Sequence, residues 1–136
     1  MINKIKIITY LVIAVLLVAC EGGIKAEMFV EYHRNGGFVG LDDYLTIDKE
    51  GNAILERKGT KTEFKLDSDT MSRLETLLND AEFTNLKKEY LPARQGNDLI
   101  EYKITYSGHT IRMMDTAIPE ILQPILESLN QIIENG

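Results

Sequence analysis

The chain has a single cysteine, Cys20, so no intramolecular disulfide can brace it and no thiolate cluster can hold a metal. Its two histidines, His33 and His109, stand far apart and form neither an HExxH nor an HxH arrangement, so each reads as a strand or surface residue. Ser68, Ser72, Ser107 and Ser128 fall at helix and turn positions, none in a GxSxG context. With no activated nucleophile and no tuned carboxylate pair in view, the sequence reads as a non-enzyme that needs no cofactor. Bases are scarce as well: 15 stand against 21 acids, a net charge of −6, which argues against nucleic acid as a partner. The longest apolar run, Ile7 to Ala19, is broken by Thr9 and Tyr10. It falls short of the roughly 18 apolar residues that a membrane span requires.

What is present at that end is Lys4 and Lys6, then the apolar run, then Leu17-Val18-Ala19-Cys20. This is the layout of a secretory signal. Its Leu-x-Ala-Cys ending resembles a lipobox, which implies acylation of the Cys20 thiol and cleavage of the bond before it. An ordinary signal peptide, or an uncleaved anchor with a chance cysteine, is the plainer alternative. The expected organisation is a signal peptide over residues 1–19, a lipidated tether over 20–27 and one domain over 28–136. Loss of residues 1–19 removes two lysines and no acid, leaving 13 bases against 21 acids and a net charge of −8. Anionic lipid would repel such a surface, so the expected membrane contact is the lipid on Cys20 alone. The expected location is extracytoplasmic, at the cell membrane. In a two-membrane cell it is the outer membrane, because Glu21 supplies no aspartate retention signal.

The domain expected over residues 28–136 opens with strand-like alternation over Met28–Arg34, with Met28, Val30 and Tyr32 on one side and Phe29, Glu31 and His33 on the other. Asn35-Gly36-Gly37 ends it. Tyr44 to Asp48 resumes alternation with Leu45 and Ile47 inward, the turn Lys49-Glu50-Gly51-Asn52 leads to a strand over residues 53–58, and Gly59-Thr60 turns into Lys61 to Leu66. Asp67 or Ser68 can cap a helix whose stripe is Met71, Leu74, Leu77, Leu78 and Ala81. Phe83 and Leu86 pin the chain beyond it, and Lys87 to Asn97 is the longest irregular connection. Asp98 to Tyr106 is the clearest strand, Ser107-Gly108 returns it through His109 to Asp115, and a last helix runs from about Pro124 to Glu134. The expected fold is α+β, about six mostly antiparallel strands with two helices packed on one sheet face. The domain is expected to be monomeric.

Two local patterns invite a ligand and a third invites a general acid/base pair, and all fail on chemistry. Asp48-x-Glu50-x-Asn52 has alternate oxygen ligands, but Ala53 stands where a calcium loop requires glycine and the distal glutamate is missing. Gly36-Gly37-Phe38-Val39-Gly40 leads into Asp42-Asp43 and a strand instead of a helix N-terminus, so it would repel phosphate. Asp42 and Asp43, neighbours near a strand, should point to opposite sides and read as an exposed, solvated pair.

Four blocks, in order, carry a resemblance. They are Glu31-Tyr32-His33-Arg34-Asn35-Gly36-Gly37-Phe38-Val39-Gly40; Leu74-Glu75-x-Leu77-Leu78-x-x-Ala81-x-Phe83-x-x-Leu86; Asp98-x-x-x-Tyr102-x-Ile104-Thr105; and Asp115-x-Ala117-x-Pro119-x-x-Leu122-x-Pro124-Ile125-Leu126. Together they resemble the emfourin family, the protealysin-inhibitor-like proteins of bacteria and archaea. The resemblance implies a small protein that inhibits thermolysin-type zinc metalloproteases by blocking the active-site cleft. Val39 replaces the family's usual alanine, and the hairpin around Lys49 to Gly59 and the tether are additions. Family members can begin at the first strand with a free N-terminus beside the glycine loop, whereas here the chain continues back through Glu27. The implied contact surface is Gly36, Gly37, Phe38, Val39, Gly40 and Leu41, since thermolysin-type enzymes favour bulky apolar groups just after the cut. Phe38 could instead fold inward as a core aromatic, and Arg34 could form a structural ion pair with Asp98. The other functional reading is a non-inhibitory protein-binding module of the cell envelope.

Overall fold

The computed structural model describes residues 27–94 and 96–136; the expected signal peptide, Cys20 and most of the expected tether lie outside the described residues. Among the described residues the architecture is α+β, with seven strands and two helices. Strands β1 (Met28–Gly36), β2 (Leu41–Asp48), β3 (Asn52–Arg57) and β4 (Thr60–Lys65) form a meander, followed by helix α1 (Ser68–Asp80). After a short 3-10 turn at Phe83–Asn85 come β5 (Glu89–Tyr90), β6 (Ile100–Tyr106) and β7 (His109–Met114), then a second 3-10 turn and helix α2 (Gln123–Asn135). The sheet order is β4-β3-β2-β1-β6-β7-β5, antiparallel except for the parallel β5–β7 pair.

Turn chemistry sets most of these boundaries. Lys58 and Gly59 between β3 and β4, and Ser107 and Gly108 between β6 and β7, all have positive φ, the geometry that two-residue hairpins need. Asp67 caps α1 by accepting from the Thr70 backbone N–H at 2.7 Å, which satisfies one of the free amides of the first turn. Pro124 sits in the first turn of α2, where its missing N–H costs nothing.

The core is one cluster. It joins inward residues of the sheet, among them Val30, Tyr32, Leu45, Ile47, Ile104 and Ile111, to Leu74 and Leu78 of α1 and the Ile125, Leu126, Leu129, Ile132 and Ile133 stripe of α2. Burying these stripes drives the assembly, since each fully buried aliphatic side chain contributes about 1.5–3 kcal/mol.

The strand count is seven, not about six. The additional strand, β5, lies inside the segment expected to be irregular; two residues cannot show alternation, and the Arg112 N–H to Lys88 carbonyl bond of 2.8 Å comes only from tertiary pairing. A second correction concerns Phe29. The β1–β2 register shifts between Met28 and Val30, a bulge that turns Phe29 toward the core to meet Tyr106 edge to face at 5.6 Å.

Candidate functional site

The β1–β2 connection is a four-residue reversal, Gly37–Gly40, closed by the Gly40 N–H donating to the Gly37 carbonyl at 3.1 Å. Gly36, Gly37 and Gly40 all have positive φ, a conformation that other residues rarely adopt. At Gly36 space matters too: a Cβ there would stand 2.6 Å from the Leu99 carbonyl oxygen. The Gly37 N–H donates to that same carbonyl at 3.2 Å, so the chain just before β6 buttresses the base of the loop.

This scaffold lifts two apolar side chains into solvent. Phe38 is 93% exposed and Val39 72% exposed, the two most exposed large hydrophobic residues among those described. Phe38 therefore does not fold inward as a core aromatic. Leu41 is half-buried and already part of β2, so of the six expected contact residues the tip presents two. The three glycines shape the loop, and Leu41 closes it.

Directly beneath the loop lies a group of charges that the sequence did not reveal as a unit. Arg34 pairs with Asp43 across the β1–β2 register, its Nε 2.7 Å from Asp43 Oδ2, while Arg57 Nε reaches Asp43 Oδ1 at 2.7 Å. Arg34 also donates to Glu134 Oε1 at 2.7 Å and to Asn130 Oδ1 at 3.0 Å, both on α2, and the Tyr32 hydroxyl donates to Asn130 Oδ1 at 2.8 Å. The Asp43 side chain is 2% exposed. Two expectations are corrected here. Asp42 and Asp43 do point apart, but only Asp42 is solvated; Asp43 is buried because two guanidiniums neutralise it. Arg34 pairs with Asp43 and Glu134 rather than with Asp98, because its side chain points inward under α2.

The electrostatics follow from this packing. Burial alone would raise the Asp43 carboxyl, but hydrogen bonds from Arg34 and Arg57 outweigh it and hold the group below its ordinary value. The Arg34 guanidinium is held above its ordinary value, because the cost of its burial is overcome by the bonds it donates to Glu134 and Asp43. Burial drives the Tyr32 phenol strongly upward, so it stays a neutral donor. Every buried side-chain polar atom among the described residues has a hydrogen-bond partner. The group is thus a clamp joining β1, β2, β3 and α2.

The remaining polar side chains singled out from the sequence are dispersed. His33 lies on the outward sheet face, 3.2 Å from Asp42 and edge to face with Tyr44 at 5.9 Å, whereas His109 packs inward against Phe83 at 6.0 Å and bonds the Leu86 carbonyl at 3.0 Å. Asp48 accepts from the Glu50 N–H, the Asn52 N–H and Asn52 Nδ2 at 2.8–2.9 Å. Its carboxylate shapes the β2–β3 turn, and these bonds hold it below its ordinary value against a desolvation that opposes them. Among the described residues no three His, Cys, Asp or Glu side chains converge as metal ligands would.

The chain arrives at the opposite end of the sheet from the loop. Lys49 binds Glu27 twice, by its backbone N–H to the Glu27 carbonyl at 2.9 Å and by Nζ to Oε1 at 2.7 Å, beside the β2–β3 turn. The nine residues of β1 then carry the chain from Met28 to Gly36, about 27 Å at the rise of an antiparallel strand. The start of β1 therefore lies at the far end of that strand from the glycine loop. Compared with protein-family models and with curated protein sequences, the chain matches none.

Proposed function

We propose that this protein is a lipid-anchored, extracytoplasmic binding protein that inhibits a thermolysin-type metalloprotease, with the Gly36–Leu41 loop entering the active-site cleft. The observation that carries the reading is the 93% exposed Phe38 at the tip of a glycine loop fixed at its base. An isolated domain gains nothing by holding a phenyl ring in water, whereas a pre-organised apolar side chain suits a pocket at low entropic cost. The four-block resemblance to the emfourin family supplies the identity of that pocket, one that takes bulky apolar groups. The Leu17-Val18-Ala19-Cys20 lipobox supports the anchor. No catalytic role is assigned to any side chain, and the clamp beneath the loop serves to hold the loop in place.

The test is a titration. The segment from Glu27 to Gly136, which contains the whole described core, is added to a panel of thermolysin-type proteases. Dose-dependent loss of peptide hydrolysis is the expected result; undiminished hydrolysis by every enzyme would discard inhibition and leave the non-inhibitory binding module. The anchor is tested separately. Cys20→Ala should yield unprocessed or released protein, and normal processing with membrane retention would contradict lipidation.

A further inference from the structure

The sheet ends at β4, the outer strand on the side away from β5. Its residues alternate between two duties. The Leu66 N–H donates to the Gly51 carbonyl at 2.9 Å, and the regular β3–β4 register back from there gives Thr60, Thr62 and Phe64 the hydrogen-bonded positions facing β3. Lys61, Glu63 and Lys65 therefore turn their backbone N–H and C=O groups outward, where no described strand meets them. Five of the six residues of β4 are exposed. An open edge of this kind is a template for another strand, and proteins usually guard it with proline, a bulge, an inward-pointing charge or lysines. β4 has only the last. It contains no proline, its register with β3 is unbroken, and the side chains opposite buried Leu55 and Ala53, those of Thr62 and Phe64, are uncharged.

We infer that β4 pairs with β4 of a second copy of this chain, antiparallel and about a two-fold axis at Thr62. The pattern Lys61-x-Glu63-x-Lys65 decides the register. Centred on Glu63, the pairing sets glutamate against glutamate and Lys61 against Lys65, and like charges directly opposite destabilise a sheet. Centred on Phe64, it needs Lys65, which its own turn already holds through the Glu50 carbonyl and Asn52 Oδ1, and it runs past the strand into Asp67, the cap of α1. Centred on Thr62, each Lys61 lies opposite Glu63 of the second copy in a hydrogen-bonded pair, so the free backbone groups of both residues are used and the charges match twice. Within one copy those two side chains make only a loose 3.8 Å contact. On the helix side Thr62 meets Thr62, and the half-buried Phe64 gains Thr60 of the second copy as a neighbour. The lysines that forbid one register thus supply the other. The axis runs through the sheet, so the Phe38 loops of the two copies point opposite ways and each stays open to its own partner. The inference stands on the edge strand, apart from the proposed function, and replaces the monomer expected from the sequence, in which nothing tells an edge strand from an inner one.

The experiment uses the full-length protein carrying Thr62→Cys, mildly oxidised with copper phenanthroline. Facing residues at a non-hydrogen-bonded antiparallel position have Cα atoms about 4.5 Å apart, within the range that a disulfide bridges. The position-62 link is identified by mass spectrometry of the joined peptide, which separates it from any link through Cys20. It should exceed the corresponding link in Glu50→Cys, an exposed turn position far from the axis, by about fivefold or more, because a formed interface raises the effective concentration of the thiols. Adding Lys61→Glu sets acid against acid at both pairs and should cut the position-62 link about fivefold or more, whereas Lys65→Glu, opposite Gly59 in this register, should leave it within about twofold. Exchanging the two charges, Lys61→Glu with Glu63→Lys, should restore it. A position-62 link no more abundant than the position-50 link would overturn the inference, and so would a link indifferent to Lys61→Glu or one that the exchange fails to restore. No protease is present, so the outcome is separate from that of the inhibition test.

Discussion

The tip of the β1–β2 loop and the clamp beneath it reverse the usual partition of a folded protein. Phe38 and Val39 are apolar and stand in water; Arg34 and Asp43, a few residues away on the same two strands, are charged and buried. The difference separates stability from recognition. The clamp contributes to the folded state because every one of its charges is paired, whereas the tip contributes almost nothing to it. Substitutions in the two regions should therefore fail in different ways.

The largest effect is expected at Asp43. Asp43→Asn leaves Arg34 and Arg57 without their carboxylate and should cost about 3 kcal/mol or more. In thermal unfolding that is a fall in Tm of roughly 12 °C or more for a domain of this size. The pH dependence should report the same group. Asp43 and Glu101 both have carboxyls held below their ordinary values in the folded state, by Arg34 and Arg57 for the first and by Arg112 for the second, in each case against burial. The stability they add is present above the unfolded-state range near pH 4 and is lost as pH falls through it toward the lower folded values. Acid denaturation should steepen below about pH 4, and Asp43→Asn should flatten that slope. A variant as acid-sensitive as the wild type would show that the clamp does not carry this dependence.

Next in size is the loop base. Gly36→Ala must hold a positive φ and push against the Leu99 carbonyl, at a cost of about 2 kcal/mol in denaturant unfolding. Glu134→Gln removes a largely exposed partner of Arg34 and should cost less than about 1 kcal/mol. Smallest in stability is Phe38→Ala, within about 0.5 kcal/mol of the wild type. That same substitution should weaken protease inhibition about 30-fold or more, as the loss of a buried aromatic anchor does. A Phe38→Ala protein that unfolds early would erase the distinction between tip and clamp.

Much of the fold was legible in the sequence because it depends on local rules. The meander follows from alternation and from turn residues such as Gly59 and Ser107-Gly108, although the first of these turns falls at Lys58-Gly59 and not at Gly59-Thr60, and the helices follow from the stripes ending in Ala81 and Ile133. Strand β5 was not legible, since two residues acquire strand geometry only by pairing with β7. The glycine loop was visible as a motif, but whether Phe38 pointed out or in depended on Leu99, more than sixty residues away in sequence. The clamp was the least legible part. Arg34 and Asp43 flank the loop almost symmetrically, a hint that they pair across the hairpin, yet Arg57, Asn130 and Glu134 reach them only through tertiary packing. The buried state of Asp43 could not be read from an Asp-Asp dipeptide whose other member lies in solvent.

The central claim is that the Phe38 loop occupies a protease cleft, and competition tests it most directly. Binding of the Glu27–Gly136 segment to a thermolysin-type protease is measured with and without a small zinc-binding inhibitor that fills the active site. The account predicts that the small inhibitor displaces the protein and that Phe38→Ala weakens binding in its absence. Binding that persists unchanged on the inhibitor-filled enzyme, or an absence of binding to any enzyme of this type, would contradict it.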